Sequence, residues 1–144
     1  MAIHNALAGV RDWPEGVSAW MSTREGGHSS APWDAFNLGD HVGDAPDHVR
    51  ANRQLLADTL GARPVFLQQV HGIAVAELVP DTPDGTVADA CFTFAPGVAC
   101  TIMVADCLPV LFCSADGRAV AGESDAQRQH RGIGLRCRSE EHTF

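Results

Sequence analysis

The 144-residue chain is 45% apolar and carries a formal net charge of −8, and its ten basic residues are all arginine. That length can bury the core of one domain, and no run approaches the roughly 18 apolar residues that a membrane span requires. The acidic balance argues against nucleic acid and anionic membranes as partners, because both demand basic surface.

The N-terminal stretch Met1 to Val10 lacks the basic start and long apolar core of a signal peptide, so a cytoplasmic, monomeric protein is expected. A short strand is predicted at Val17 to Trp20. The segment that follows, from Ser22 through Pro32, Asn37, Gly39 and Gly43, is rich in turn residues. A loop of that length in a compact domain is often a binding loop. A helix is predicted from Ala45 to Leu60, with Asp44 as N-cap, Pro46 in the first turn and Gly61 at the stop. Its inward stripe is Val49, Asn52, Arg53, Leu56 and Leu60, so an amide and a guanidinium share the apolar face. A buried arginine needs an anion, either a carboxylate or a ligand phosphate; the alternative is that Asn52 and Arg53 lie at the edge of the stripe and cap a neighbouring loop.

Beyond the helix the pattern is that of strands: Val65 to Val70, Ile73 to Val79, Ala88 to Thr93, Val98 to Val104, Pro109 to Cys113 and Ala119 to Ala121. Asp116-Gly117 signals a hairpin between the last two. Several runs are apolar on both faces, which implies sheets covered on both sides. The cysteines Cys91, Cys100, Cys107, Cys113 and Cys137 form no CxxC pair. Buried thiols are expected of them, not a disulfide framework.

His71 and Cys107 each lie where an apolar run stops, and imidazole with thiolate is a ligand pair suited to zinc. Two ligands do not close a site. From Glu123 onward the chain has no strand or helix pattern, and residues 123 to 144 balance four acids with four arginines.

Seven motifs occur in order: Ser22-Thr23-Arg24-Glu25-Gly26-Gly27, Asn37-Leu38-Gly39, Val42-Gly43-Asp44, Asn52-Arg53, Gln68-Gln69-Val70-His71-Gly72, Asp89-Ala90 and Ala105-Asp106-Cys107-Leu108-Pro109. Together, over residues 17 to about 122, they resemble the YfiH-like family. That family was named for multicopper polyphenol oxidase or laccase activity and later assigned as purine nucleoside phosphorylases. The resemblance implies an α+β fold of mixed, largely buried β-sheets flanked by helices, of which residues 1 to 122 are the N-terminal part.

It also implies zinc held by His71, by Cys107 and by the first histidine of a His-Ala-Gly-Trp-Arg-Gly motif. Ser124 stands where that third histidine is expected. The implied chemistry is phosphorolysis of adenosine, inosine and methylthioadenosine, with deamination of adenosine. Arg24 and Arg53 are the candidates for holding phosphate, since the guanidinium fork suits oxyanions. Asn37, Asn52 and Gln68 are candidates for hydrogen bonds to ribose or base. Asp106, beside the metal cysteine, is expected to orient it or to accept a proton.

Three other readings stand beside this one. A copper-dependent phenol oxidase fits poorly, because seven scattered histidines contain no HxH pair. A cysteine hydrolase would use Cys107 as nucleophile and His71 as base. The third is a non-catalytic fragment. Arg138-Ser139-Glu140-Glu141-His142-Thr143 looks like the translation of a sequencing-adapter oligonucleotide. We therefore expect a change of reading frame near Gly122 and a disordered tail over residues 123 to 144, which resequencing of the locus would check.

Overall fold

The computed structural model describes residues 7–10, 12–105 and 107–123. Its strands are β1 (Leu7–Val10), β2 (Ala19–Ser22), β3 (Arg63–Phe66), β4 (Val75–Glu77), β5 (Ala90–Thr93), β6 (Val98–Thr101), β7 (Val110–Cys113) and β8 (Val120–Glu123), with one helix, α1 (Pro46–Leu60), between β2 and β3. The fold is α+β with mixed sheets, as the motifs imply. Among the described residues α1 is the one helix, and none is long and apolar enough to cross a membrane. The expected tail lies outside the described residues except for Glu123, which closes β8 and is buried.

The chain divides into two compact units. One joins the residues up to Asp12 with Ser18–Ala62; the other joins Trp13–Val17 with the residues from Arg63 on. In the first unit β1 and β2 pair antiparallel, with Leu7 opposite Ser22 and Val10 opposite Ala19. β1 was not expected from sequence, since Leu-Ala-Gly-Val shows no alternation. α1 starts after Ala45, which occupies the N-cap position expected of Asp44 and makes no side-chain cap. Pro46 needs no N–H partner at the first helical position. At the far end Gly61 takes the left-handed conformation (φ 62°) and its N–H closes on the Ala57 carbonyl. Val49, Asn52 and Leu56 form the buried stripe.

In the second unit β3 and β6 run parallel, Arg63 opposite Val98 and Phe66 opposite Thr101. The remaining strands form a four-stranded sheet in the order β4-β5-β8-β7, parallel at β4–β5 and antiparallel elsewhere. The expected hairpin joins β7 to β8, and Gly117 supplies a positive φ of 71° in its turn. Val65, Leu67, Leu78, Ala88, Cys91 and Val98 make the core, with Ala76, Ala95, Cys100 and Ile102 packed against it. Pro64 is tolerated within β3 because alternate N–H groups face β6: the Arg63 N–H bonds the Gly97 carbonyl, while the Phe66 N–H turns the other way, to Asp84.

Every expected strand after α1 is present, and the longer ones are shorter than expected. β3 stops at Phe66 instead of Val70, β4 spans Val75–Glu77 within the expected Ile73 to Val79, and β6 stops at Thr101 instead of Val104. In two of these places side chains take over the backbone bonds that a ladder would otherwise make.

Candidate functional site

The carboxyl ends of parallel strands are where open sheets usually place their sites. His71 follows the end of β3 and Cys107 follows the end of β6, on a parallel pair whose strands point the same way. The two following segments are tied together by Gln69. Its amide donates to the Met103 carbonyl at 2.9 Å and accepts the Met103 N–H at 2.9 Å. One side chain thus replaces a strand neighbour at the point where β6 ends.

A third segment completes the frame of the turn. Residues 84–88 run alongside the continuation of β3: the Gly85 N–H bonds the Phe66 carbonyl, the Gln68 N–H bonds the Thr86 carbonyl, and the Ala88 N–H bonds the Gln68 carbonyl. Gln68 and Val87 are bridged in parallel, which carries Asp89 to the level of the turn. The Asp89 carboxylate is 1% exposed and accepts three successive N–H groups, those of Val70 (2.9 Å), His71 (2.7 Å) and Gly72 (2.7 Å). Three N–H groups converging on one anion form a backbone nest. His71 has φ 57°, a left-handed conformation that costs a non-glycine residue roughly 1–2 kcal/mol. Its side chain is exposed, and that of Gln68 is exposed as well. A Cβ at position 72 would stand 3.3 Å from the Asp89 carboxylate, so glycine suits that position.

Cys107 is half-buried and Asp106 lies outside the described residues. None of Cys91, Cys100, Cys107 and Cys113 is in a disulfide. The Cys91 thiol, together with burial, pushes the Cys100 thiol well above the usual range, and burial also raises Cys113. Those two thiols stay protonated, and Cys100 packs against the core. Imidazole nitrogen and thiol sulfur are donors that zinc accepts readily. Among the described residues no group of three or more metal-binding side chains gathers.

The other candidates lie in the first unit, around the loop between β2 and α1. Asn52 is fully buried. Its amide accepts the His28 N–H at 2.7 Å and donates to the Ser29 hydroxyl (2.9 Å) and to the carbonyls of Asn37 (2.8 Å) and Ala35 (3.4 Å). Asn37 in turn accepts the Gly39 N–H and donates to the Gly39 carbonyl and to Asp44. The guanidinium of Arg53 donates to the Leu38 carbonyl at 2.9 Å and faces Asp40 at 3.6 Å. The anion that the half-buried arginine requires is therefore a carboxylate of its own loop. Asn37, Asn52 and Arg53, the expected substrate and phosphate ligands, all bond the loop itself. Arg24 differs. Its side chain is 74% exposed, with one bond to the Asp34 carbonyl and a long 3.5 Å contact to the Asp34 carboxylate. Sequence reasoning passed over Gln69 and Asp89 as site residues although both stand inside the quoted motifs. The signal was there: each is a polar side chain beside an apolar run, where burial obliges it to bond the backbone.

Comparison with known proteins identifies the family and the fold. The profile of the family described as multi-copper polyphenol oxidoreductase laccase matches residues 18–123. The chain belongs to that family. It is 49% identical over 116 residues to a protein of Escherichia coli (strain K12) named purine nucleoside phosphorylase YfiH, covering 78% of this chain and 48% of that protein. It is 51% identical over 112 residues to the purine nucleoside phosphorylase PA4543 of Pseudomonas aeruginosa, covering 76% of this chain and 46% of that protein. The crystal structure of Neisseria meningitidis protein NMB0706, of the family DUF152, superposes with a TM-score of 0.76 at 38% identity, over 88% of this chain and 53% of that one. The structure of YlmD from Geobacillus stearothermophilus gives 0.70 at 28% identity, over 80% of this chain and 47% of that one. The chain thus spans about half the length of the relatives it matches.

Proposed function

We propose that this chain carries the N-terminal share of a zinc-dependent purine nucleoside phosphorylase, acting on adenosine, inosine and methylthioadenosine with phosphate and also deaminating adenosine. The observation that carries the reading is the donor pair itself: an exposed imidazole and a thiol after the carboxyl ends of two parallel strands, with their segments clamped by Gln69. The names of the relatives at about half identity support it.

In this reading His71 and Cys107 hold the metal, and a further donor comes from chain beyond Glu123. Zinc, when bound, supplies Lewis-acid polarisation and hydroxide at neutral pH. The protein's own part is positional. Gln69 keeps the two donor segments in register, and Gln68, with its exposed amide, hydrogen-bonds ribose or base. Arg24 offers phosphate the guanidinium N–H groups that Asp34 does not engage. Asn37, Asn52 and Arg53 shape the loop that presents Arg24. Asp106 orients the metal cysteine.

Zinc content and phosphate-dependent release of hypoxanthine from inosine test this. The chain as it stands should hold zinc weakly and turn over little; a version ending in His-Ala-Gly-Trp-Arg-Gly after Gly122 should gain both. Equal phosphorolysis by the two would sink the account of the third ligand. Unchanged zinc content after His71→Ala and Cys107→Ala would sink the donor pair.

A further inference from the structure

The groups that hold the turn before β4 are more specific than a loop of this length requires. A carboxylate that is 1% exposed has no cation paired with it among the described residues; it accepts the N–H groups of Val70, His71 and Gly72. The same residue donates its own N–H to the Ala74 carbonyl at 3.1 Å, fixing where the turn ends. A carboxylate can only accept, so it suits a backbone that presents N–H groups alone. The chain presents three in succession only if the middle residue leaves the extended conformation, and His71 does so with φ 57°. Were His71 to return to the β region, its side chain would alternate across the strand instead of standing out at its end.

We propose that Asp89 is the positioning residue of the candidate centre: its buried carboxylate locks His71 in the left-handed turn that presents the imidazole as a ligand. This rests on the reading of His71 as a metal donor. It adds that the donor's direction is set by a residue eighteen positions away that touches neither metal nor substrate. Gly72 serves the same contact from the other side, since any larger residue would press on the Asp89 oxygen.

The test uses the full chain, labelled with nitrogen-15, and two readouts. One is the backbone coupling constant of His71, which reports φ without any metal. The other is zinc affinity, followed through the His71 ring signals. Asp89→Asn, nearly isosteric, replaces one acceptor oxygen with a donor. It should move the His71 coupling out of its left-handed value and weaken zinc binding about 10–100-fold, as loss of a ligand-orienting group generally does. Val49→Ala, which trims the buried face of α1, serves as the control. It should lower stability and leave both readouts alone.

A His71 coupling unchanged in Asp89→Asn would overturn the proposal, and so would a changed coupling with undiminished zinc affinity. If the wild-type chain binds no zinc at His71, the metal reading fails instead. The coupling then decides alone: lost in Asp89→Asn it upholds the lock, and kept it removes it. Should Asp89→Asn fail to fold, Gly72→Ala takes its place, with a smaller shift in the same direction expected and no shift counting against the proposal.

Discussion

In the first unit a buried amide, Asn52, gathers the loop between His28 and Asn37; in the second a buried carboxylate, Asp89, gathers the turn from Val70 to Gly72. The difference lies in what each can bond. An amide donates and accepts, so Asn52 can join an N–H to carbonyls and knit a loop that doubles back on itself. A carboxylate only accepts, so Asp89 collects N–H groups and forces the chain into a nest. The first device leaves Asn37, Asn52 and Arg53 occupied by the loop, and the second leaves the His71 side chain exposed. Polar residues in shared motifs therefore divide into those that make a loop and those the loop displays, and exposure tells them apart.

The sharpest way to break this comparison is at Gly27. A Cβ there would lie 2.2 Å from the Ala35 carbonyl, 2.6 Å from Phe36 Cα and 2.7 Å from the Asn52 amide oxygen. Two of these are backbone and the third is a buried amide held on several sides, so nothing can give way cheaply. Gly27→Ala should cost about 3 kcal/mol in urea unfolding. A loss near zero would mean that the loop does not rest on Asn52. Asn52→Ala should come next, at about 2 kcal/mol, because it leaves the His28 N–H and the facing carbonyls unsatisfied in a buried place. If Asn52 were chiefly a ligand group, the same change would spare the melting temperature.

Much of this was legible in the chain. Pro46 and Gly61 bracket α1 because a fixed φ and a left-handed stop are local properties, readable without tertiary context. Each strand from Val65 on was visible as an apolar run. What could not be read was where the runs stop pairing. β6 ends because Gln69 takes the Met103 groups, and β3 ends ahead of a turn bound to Asp89. Both are long-range bonds that hydrophobic pattern does not encode. Asp44 looked like a helix cap by its position, yet it accepts the Ser29 hydroxyl, the Asn37 amide and the Ala45 N–H. His71 and Cys107 were recognisable by residue type; Gln69 and Asp89, which hold the segments around them, were hidden in plain motifs because their partners are backbone.

Gln69→Ala tests the clamp that joins the segments following β3 and β6. Both Met103 backbone groups lose their side-chain partner, so about 1–2 kcal/mol of stability should go. Hydrogen exchange at the Met103 amide should quicken while the amides of Val70, His71 and Gly72 stay protected by Asp89. Equal exposure of all four would show that the clamp and the nest are one structure and not two.

The smallest effect separates the units by pH. The Ser29 hydroxyl, with the Asn37 amide, the Ala45 N–H and His48 at 3.8 Å, holds the Asp44 carboxyl below its ordinary value of 3.8. A depressed carboxylate stabilises the fold fully above its unfolded pKa and ceases to do so as acid carries the pH down through the folded value. Stability from this group should therefore be flat from neutrality to about pH 4 and decline only below 3.8, towards the lowered pKa. Asp44→Asn should remove that part of the acid dependence, measured as the difference between urea midpoints of the two chains at each pH. The turn at His71 should show no difference between them, because its anion is Asp89 and lies in the other unit. A gap between the chains that widened above pH 4 would mean that Asp44 is strained where it sits, and that the Asn52 loop is held by something other than the Ser29–Asp44 bond.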